Sequence, residues 1–372
     1  MKRAFLFISL FVIALMARAA DVTTLTISDI EFDLGDTSYF TITVTADQNI
    51  NDYTAFEFDL KLPAGLTIPY NYNEDEEEYG YGYFDESEEE WVKAITCPAA
   101  KSSHTIGIHQ QPSGAWRFLV TDGSWTNKVF KSNSTLLQLI VKPTAEVQAG
   151  VFDISFSTTD INAVVKLSKP DETFTVPATV NGKCRISTTL DFVMTAVGWG
   201  TWIMPFAGKV PAGLTAHECP TVGEHGILTL TDISAGGDIE ANTPYIMEGT
   251  ADTYSFKGAP EPVANLTKGV LTGTYADINL ADDTSYVLQL QGETVAFYQI
   301  DPTKPVTLTA NHCFMTISGA AKAPAYYLNE VTRVESLLDE RNGSVYDMSG
   351  RKVEAPAQKG VYLINNKKYY VK

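Results

Sequence analysis

The alternation of residues over Ala55–Leu62 constrains the fold of this chain more than any other feature. The even-numbered positions carry Phe or Leu, and the odd-numbered positions after Ala55 carry Glu, Asp or Lys. Because successive side chains of a strand point to opposite faces, this pattern predicts one apolar face and one charged face. Pro63 has no backbone N–H and Gly65 permits a turn, so the strand is predicted to end at Leu62. A half-apolar strand needs a second apolar layer, which predicts a β-sandwich. Its core is predicted to contain Phe56, Phe58, Leu60 and Leu62.

Short alternating segments separated by polar turns continue along the chain, for example Phe40–Thr45, Trp116–Val120 and Leu136–Val141. No segment has the apolar period of 3.6 residues that is typical of an amphipathic helix. The predicted fold class is therefore all-β, with two antiparallel, jelly-roll-like β-sandwich domains followed by a short C-terminal β-hairpin module. The predicted boundaries are 20–186 for the first sandwich, 187–328 for a second all-β module, 329–343 for a linker and 344–372 for the C-terminal module.

Residues 1–19 have the pattern of a signal peptide. Lys2 and Arg3 precede the apolar run Ala4–Met16, and Ala17-Arg18-Ala19 fits the small-x-small cleavage rule. The run is too short to cross a bilayer comfortably, and no later stretch is long and apolar enough to do so. These features predict export to the cell surface or the medium by way of the periplasm, with no membrane span in the mature protein.

The acidic composition excludes two classes of partner. The chain has 27 Lys and Arg against 45 Asp and Glu, a formal net charge of -18. Such a field repels nucleic acid and anionic lipid. The sequence also has no His-Glu-x-x-His, no Gly-x-Ser-x-Gly and no phosphate-binding loop. A non-catalytic protein is therefore predicted, since pairs of carboxylates that could serve a glycosidase are expected by chance among so many acids.

The chain has four cysteines, and export would allow them to form disulfides. Their spacing suggests one bond in each domain, while other pairings and four buried free thiols are also compatible with it. The suggested bonds are Cys97–Cys184 and Cys219–Cys313. With His217 and His225, the last two cysteines match no standard spacing of a zinc site, and no cofactor is predicted.

The most unusual composition is that of an insert at residues 70–91. It holds ten carboxylates between Glu74 and Glu90, and Tyr79, Tyr81 and Tyr83 alternate with glycines, so that an extended chain presents three rings on one face. Rings flanked by carboxylates suit sugars, whose C–H faces stack while their hydroxyls donate. The carboxylates could instead hold calcium, or the insert could be a solvated loop whose tyrosines pack on the parent sheet.

Two further aromatic residues complete the candidate ligand-binding set. Trp91 ends the insert, and Trp202 lies three residues after Trp199, which places these two tryptophans on opposite faces of a strand. One is expected in the core, and Trp202 is predicted to be the exposed contact residue. The candidate set is Tyr79, Tyr81, Tyr83, Trp91 and Trp202.

Five segments of residues 21–186 follow one another in the order found in a known family. They are Gly35-Asp36, Ala55–Leu66, Trp116–Val120, Leu136–Val141 and Gly150–Phe156. Through these segments the region resembles the cohesin domain and related bacterial carbohydrate-binding modules, with Ser132–Thr135 before Leu136 in place of the family's usual glycine. The resemblance implies a jelly-roll sandwich with a binding role.

Segments after residue 187 carry two further resemblances. Gly198–Trp202 and Ala241–Pro244 are similar to an uncharacterised all-β module found in surface proteins of bacteria that use type IX secretion. Val345–Val353 and Gly360–Lys372 are similar to the C-terminal sorting signals of such proteins. The second resemblance implies recognition by the secretion machinery. The function predicted is a non-catalytic exported protein that binds a carbohydrate or a surface protein. The alternatives are an adhesin or structural surface protein with protein contacts only, and a glycan-degrading enzyme.

Overall fold

A computed structural model describes residues 23–124, 126–223, 226–263, 265–317 and 323–328, and the backbone of strands at 345–347, 352–353, 360–364 and 367–371. The described residues form strands and turns without an α-helix, so the prediction of an all-β chain is confirmed. Within them, no helix is long and apolar enough to cross a membrane. The chain divides into an N-terminal unit, Met1–Thr188, and a C-terminal unit, Thr189–Lys372.

The N-terminal unit consists of short strands joined by turns. In chain order they are β1 (Thr24–Ile27), β2 (Ile30–Asp33), β3 (Phe40–Ala46), β4 (Ala55–Lys61), β5 (Leu66–Thr67), β6 (Tyr70–Asn73), β7 (Glu78–Asp85), β8 (Glu90–Lys93), β9 (Ile95–Thr96), β10 (His104–Gln110), β11 (Trp116–Asp122), β12 (Thr135–Pro143), β13 (Gly150–Ser157), β14 (Lys166–Ser168), β15 (Phe174–Thr175), β16 (Ala178–Val180) and β17 (Gly182–Met194), which ends in the C-terminal unit.

These strands form two large sheets and one small one. The first large sheet has the order β16-β1-β3-β12-β5, with β9 also paired to β12, and the second has the order β10-β11-β4-β13-β17-β2, with β14 and β15 added beside β4. Two pairs are parallel, β1 with β16 and β2 with β17, where the sequence predicted antiparallel sheets throughout. Strands so distant in sequence are not joined by a hairpin, so nothing forces them to run in opposite directions.

The predicted strand β4 lies in the middle of the second sheet and supplies the core. Phe56, Phe58 and Leu60 have no exposed surface, and they pack with apolar side chains of both large sheets. The two sheets therefore enclose one apolar core. The strand ends at Lys61, one residue earlier than predicted, and Leu62 is half-buried against the same core.

The other face of β4 is less exposed than its charges predict. The Asp59 carboxylate is fully buried and accepts hydrogen bonds from Arg117 Nε at 2.7 Å and Nη2 at 2.9 Å. Glu57 is half-buried and lies 2.7 Å from Lys166 Nζ. A strand flanked on both sides is covered by the side chains of its neighbours, which the alternation within β4 cannot indicate.

The C-terminal unit is again built from strands. They are β18 (Trp199–Trp202), β19 (Gly208–Lys209), β20 (Leu214–Val222), β21 (Leu228–Ile233), β22 (Asp238–Ile239), β23 (Tyr245–Gly249), β24 (Asp252–Gly258), β25 (Thr267–Lys268), β26 (Leu271–Thr274), β27 (Ile278–Leu280), β28 (Ser285–Gln291), β29 (Thr294–Gln299), β30 (Val306–Leu308), β31 (His312–Thr316) and β32 (Ala325–Tyr327). Its larger sheets have the orders β18-β23-β20-β21 and β25-β26-β31-β28-β29-β32.

Four further strands lie near the end of the chain, where the sequence predicted a hairpin. They are β33 (Val345–Asp347), β34 (Lys352–Val353), β35 (Gly360–Ile364) and β36 (Lys367–Val371). Their order is β34-β33-β35-β36, and all three pairings are antiparallel. The segment therefore forms a small four-stranded sheet. The predicted signal peptide (residues 1–19) and linker (residues 329–343) lie outside the described residues.

Trp202 does not have the exposed position that was predicted for it. It is 4% exposed and packs against Phe192 at a ring separation of 5.2 Å and Phe256 at 5.9 Å. Trp199 is the half-exposed member of the pair and stacks on the buried His217 at 5.4 Å. The spacing of the two tryptophans indicates opposite faces, but it does not indicate which face packs on the core.

The cysteines do not form the suggested disulfides, since all four are buried free thiols. Cys97 follows β9 of the first sheet and Cys184 lies in β17 of the second, whereas Cys219 and Cys313 belong to different sheets of the C-terminal unit. Burial raises the pKa of Cys97 and of Cys184 to about 11, and that of Cys219 to about 12. Burial also raises the pKa of Cys313, whose thiol donates to the Trp202 carbonyl at 3.2 Å.

Truncation of Phe58 is expected to destabilise the N-terminal unit strongly. Because the ring is fully buried, Phe58→Ala should lower the free energy of unfolding by about 3–5 kcal/mol through lost burial and a residual cavity. Urea unfolding measures this change. Leu119→Ala is the matched control, since Leu119 lies on the exposed face of the adjacent strand and should change stability by roughly 0.5 kcal/mol or less. Equal effects of the two substitutions would remove β4 from the core.

Thiol titration tests the state of the cysteines. Protein purified without reductant should react slowly with a thiol reagent at neutral pH, because the thiols are buried and their raised pKa values leave little thiolate. After unfolding in guanidinium, all four cysteines of the chain should react. A sample reduced before unfolding provides the reference. Fewer reactive thiols in the unreduced protein than in this reference would establish disulfides and contradict the structure.

Candidate functional site

The acidic insert forms a three-stranded antiparallel sheet, which we call the ribbon (residues 70–93). Strand β7 lies in the middle, with β6 and β8 on its two sides. Two turns close it, residues 74–77 and residues 86–89. Each turn begins with a side chain that accepts a backbone N–H two residues later, Asn73 from Asp75 at 3.1 Å and Asp85 from Ser87 at 2.9 Å, as is common for Asn and Asp in turns. The insert is therefore a sheet rather than a loop.

Five tyrosines lie on one face of the ribbon, which we call the tyrosine face. On β7, alternation places Tyr79, Tyr81 and Tyr83 together. Tyr72 pairs with Tyr79 and Tyr70 with Tyr81 across the strands, so all five share that face. Tyr79, Tyr70 and Tyr72 are 65%, 56% and 48% exposed. We call these three residues the exposed tyrosine cluster.

The other two tyrosines attach the ribbon to the sandwich. Tyr83 stacks on Tyr39 with ring centroids 3.6 Å apart, and Tyr81 meets Trp116 edge-on at 5.9 Å. Burial raises the pKa of Tyr81 and of Tyr83, so both hydroxyls remain protonated at neutral pH. Of the three tyrosines that the sequence indicated, only Tyr79 is therefore exposed, and the other two are half-buried packing residues.

Trp91 lies on the opposite face of the ribbon from the tyrosines. It pairs with Phe84 on β7, and its indole covers Gly82. A Cβ at Gly82 would lie 2.6 Å from Trp91 Cζ2 and 2.6 Å from the Val92 carbonyl oxygen, so the position requires glycine. The alternation of tyrosine and glycine thus gives one face of rings and one face on which Trp91 packs. The predicted site residues are consequently separated by the sheet.

Sequence reasoning did not include Tyr70 and Tyr72 among the candidate residues. Each is exposed and contacts Tyr79, the first with ring centroids 6.0 Å apart and nearly parallel planes, the second at 5.3 Å with planes at 64°. The two residues could have been found by predicting the hairpin of β6 and β7. The acidic turn at 74–77 joins these strands and brings their tyrosines side by side. Recognising that turn would have added both residues.

The rings of the tyrosine face meet at different angles. Tyr70 and Tyr79 are nearly parallel, at 23°, whereas Tyr70 and Tyr81 meet at 56° and Tyr72 and Tyr79 at 64°. A row of coplanar ring faces, on which successive sugar units could stack, is therefore not present in this arrangement.

Carboxylates lie at both ends of the tyrosine face. Glu74, Asp75, Glu76 and Glu77 form one turn, and the turn at 86–89 adds three more acids. Lys93 is the only basic residue of the ribbon sequence and lies 3.8 Å from Glu76. The hydroxyl and amide of Ser87 hold the pKa of the Asp85 carboxyl below its usual value. Among the described residues, no group of three or more His, Cys, Asp or Glu side chains is arranged to hold a metal ion.

A small cleft of about 230 Å³ lies in the C-terminal unit. Its walls include Trp199, Leu288, Val295 and His312. Nδ1 of His312 lies 3.0 Å from the Ala310 carbonyl oxygen, and it therefore carries the ring proton when the histidine is neutral. The cleft is smaller than the roughly 300–1,000 Å³ of typical ligand pockets. It has room for one side chain or one small ring, and it is a weaker candidate than the tyrosine face.

No protein-family model and no curated protein matches this chain. Among solved structures it is similar to a type I cohesin–dockerin complex from Clostridium thermocellum, with 10% identity over 45% of this chain and 99% of the solved chain and a TM-score of 0.31. It is also similar to a type I cohesin from Pseudobacteroides cellulosolvens, with 13% identity over 44% of this chain and 92% of the solved chain and a TM-score of 0.30. A type III cohesin module of a cell-surface anchoring scaffoldin from Ruminococcus flavefaciens has 11% identity over 46% of this chain and 90% of the solved chain, with a TM-score of 0.33. The matched structures are cohesin modules, but these values do not establish a shared partner.

Proposed function

We propose that this protein is a non-catalytic, exported binding protein that contacts another protein through its exposed tyrosine cluster. The observation that carries the proposal is the exposure of Tyr70, Tyr72 and Tyr79 side by side on one sheet face. Exposed clusters of large aromatic side chains are uncommon on surfaces that contact only water. Tyrosine is also among the residues that contribute most binding energy at protein interfaces.

The support beneath the cluster favours a binding surface. Tyr83 stacks on Tyr39, and Tyr81 packs against Trp116 and the core, so the ribbon is held on the sandwich by its own tyrosine face. A surface that is already ordered loses less conformational entropy when a ligand binds. Tyrosine adds to this advantage because it offers a large contact area with only two rotatable side-chain angles.

The ring geometry favours a protein over a glycan. Within the exposed cluster, the planes of Tyr72 and Tyr79 are inclined at 64°, whereas those of Tyr70 and Tyr79 are nearly parallel at 23°. Stacking of a sugar chain uses open ring faces, whereas protein side chains can enter between tilted rings and contact both faces and edges. Carbohydrate binding remains the second candidate, because carboxylates beside the rings can accept hydrogen bonds from sugar hydroxyls.

Site-specific photocrosslinking on intact cells tests the proposed surface. With Tyr79 replaced by p-benzoylphenylalanine, we expect a crosslink to a second polypeptide, because the side chain lies in the middle of the cluster. The same replacement at Phe84 is the matched control, since Phe84 is 54% exposed on the opposite face of the same strand. Equal crosslinking at both positions, or at neither, would contradict the proposal.

A glycan array separates the two ligand classes. The three-tyrosine variant, in which Tyr70, Tyr72 and Tyr79 are replaced by Ser, should keep the melting temperature of the parent because these rings are largely exposed. Tyr83→Ala should lower it, since that ring stacks on Tyr39. If the parent protein binds a glycan and the three-tyrosine variant does not, the ligand of the cluster is a carbohydrate and not a protein.

The proposal includes export, with the C-terminal strands as the segment recognised by a secretion machine. The support for this part is the resemblance of Val345–Val353 and Gly360–Lys372 to sorting signals, and the separate small sheet formed by β33–β36. Deleting Ser344–Lys372 should leave the remainder folded and retain it in the periplasm, while the full chain reaches the surface or the medium. Cell fractionation measures the distribution. Truncated protein found outside the cell in the same proportion as the full chain would show that the sorting role is wrong.

A further inference from the structure

We propose that the segment bound by the exposed tyrosine cluster is an extended stretch of a partner protein rich in Lys and Arg. This inference rests on the proposed function, and it specifies the chemistry of the partner. The tyrosine face is an exposed sheet surface on which Tyr70, Tyr72 and Tyr79 are left uncovered. Three features determine what would cover it, namely the local charge, the angles between the rings and the spacing of the exposed rings.

The local charge favours a cation. Ten of the residues from 74 to 90 are Asp or Glu, and Lys93 is the only basic residue between Tyr70 and Lys93. All of these carboxylates except that of Asp85 are exposed. Carboxylates this close to one another repel each other. A positively charged partner is attracted to each carboxylate that it contacts, and it also relieves that repulsion. An anionic glycan, an acidic protein and nucleic acid are disfavoured by the same field.

The tilt of the rings favours the same ligand. A Lys ammonium or Arg guanidinium is attracted to the faces of aromatic rings, and rings set at steep angles can surround it. Tyr72 and Tyr79 meet at 64° and can hold such a cation between them, while Tyr70 lies nearly parallel to Tyr79 with ring centroids 6.0 Å apart. The methylene groups of Lys and Arg can cover the rings while the charged ends reach the carboxylates. Neither the rings nor the acids alone would make use of both parts of such a side chain.

The spacing fits an extended segment. Tyr70 and Tyr72, both exposed, are two residues apart on β6, which is about 7 Å along the strand. The two acidic turns lie at opposite ends of the neighbouring eight-residue strand β7. A partner in extended conformation also presents every second side chain to one side at about 7 Å, so two alternating basic residues would match these two exposed rings.

Calorimetry with synthetic peptides tests the inference. The probe is a nine-residue peptide of alternating Lys and Ser with blocked ends, together with its Arg counterpart. The neutral control is the Lys peptide with every amine acetylated, which keeps length and spacing but removes charge. Titrated into the mature full-length chain at about 50 mM salt, where screening is modest, the basic peptides should bind and the acetylated peptide should not.

Two variants locate the binding. The three-tyrosine variant should weaken binding about tenfold or more, as expected from the loss of several cation–π contacts. A ribbon-charge variant should weaken it by a similar factor; it combines Glu74→Gln, Asp75→Asn, Glu76→Gln and Glu77→Gln. The matched control removes the same number of charges elsewhere on the N-terminal unit, and it should weaken binding less than about twofold. This remote-charge variant combines Glu31→Gln, Asp47→Asn, Glu146→Gln and Glu172→Gln.

Several results would overturn the inference. Equal weakening by the ribbon-charge and remote-charge variants would indicate attraction by net charge without a site. If the three-tyrosine variant binds the basic peptides as tightly as the parent does, the rings take no part in binding. Displacement of the peptide by calcium chloride, beyond the effect of sodium chloride at equal ionic strength, would indicate that a divalent cation occupies the carboxylates.

Failure of this inference is distinguishable from failure of the proposed function. A crosslink at position 79 but not at position 84, combined with no binding of the basic peptides, would keep the tyrosine face as a protein-binding surface and reject a basic partner. Binding of the basic peptides that depends on the tyrosines, combined with the position-specific crosslink, would support both. Absence of the crosslink and of peptide binding would reject both.

Discussion

The N-terminal unit depends on β4, because this strand is covered on both faces. One face places Phe56, Phe58 and Leu60 in the core, and the other holds the fully buried carboxylate of Asp59. The guanidinium of Arg117 makes two hydrogen bonds to that carboxylate. A buried charge without its partner destabilises a protein strongly, and a shift of one residue between β4 and β11 would turn Arg117 towards the core. The ion pair therefore fixes the register of the two strands that carry Phe56, Phe58 and Phe118 of the core.

The same sandwich determines how the ribbon is presented. The ribbon leaves it after the buried residue Ile68 and returns at the buried residue Ala94. The amide of Gly82 donates to the Pro69 carbonyl at 3.0 Å, and that of Ala94 donates to the Tyr81 carbonyl at 2.9 Å. The ribbon is held on the sandwich by these hydrogen bonds and by the ring contacts of Tyr81 and Tyr83. Its tyrosine face is consequently used twice, at one end for attachment through half-buried rings and at the other for the exposed cluster.

Periodicity within a strand could be predicted from the sequence, whereas contacts between distant strands could not. The inward direction of Phe56, Phe58 and Leu60 follows from alternation alone, and so does the common face of Tyr79, Tyr81 and Tyr83. The burial of Asp59 depends on Arg117, and the difference in exposure between Tyr79 and Tyr83 depends on Tyr39. These partners lie about forty to sixty residues away in the chain, as shown by their numbers. The exposed position predicted for Trp202 is wrong for the same reason, and the spacing of the cysteines was compatible with both disulfides and free thiols.

The acidity of the ribbon is best understood together with its rings. Many like charges on a small sheet weaken it, and nothing in the fold of the sandwich requires them at this place. Single exposed acids at sheet edges have a simpler explanation, because they prevent edge-to-edge pairing. Two acidic turns at the ends of one row of tyrosines are more than the prevention of edge pairing needs. Glu77 and Glu89 also have positive φ angles, 49° and 54°, which lie in a backbone region that favours glycine. A glutamate in each of those positions adds a charge to an end of the ribbon where glycine would give an easier turn.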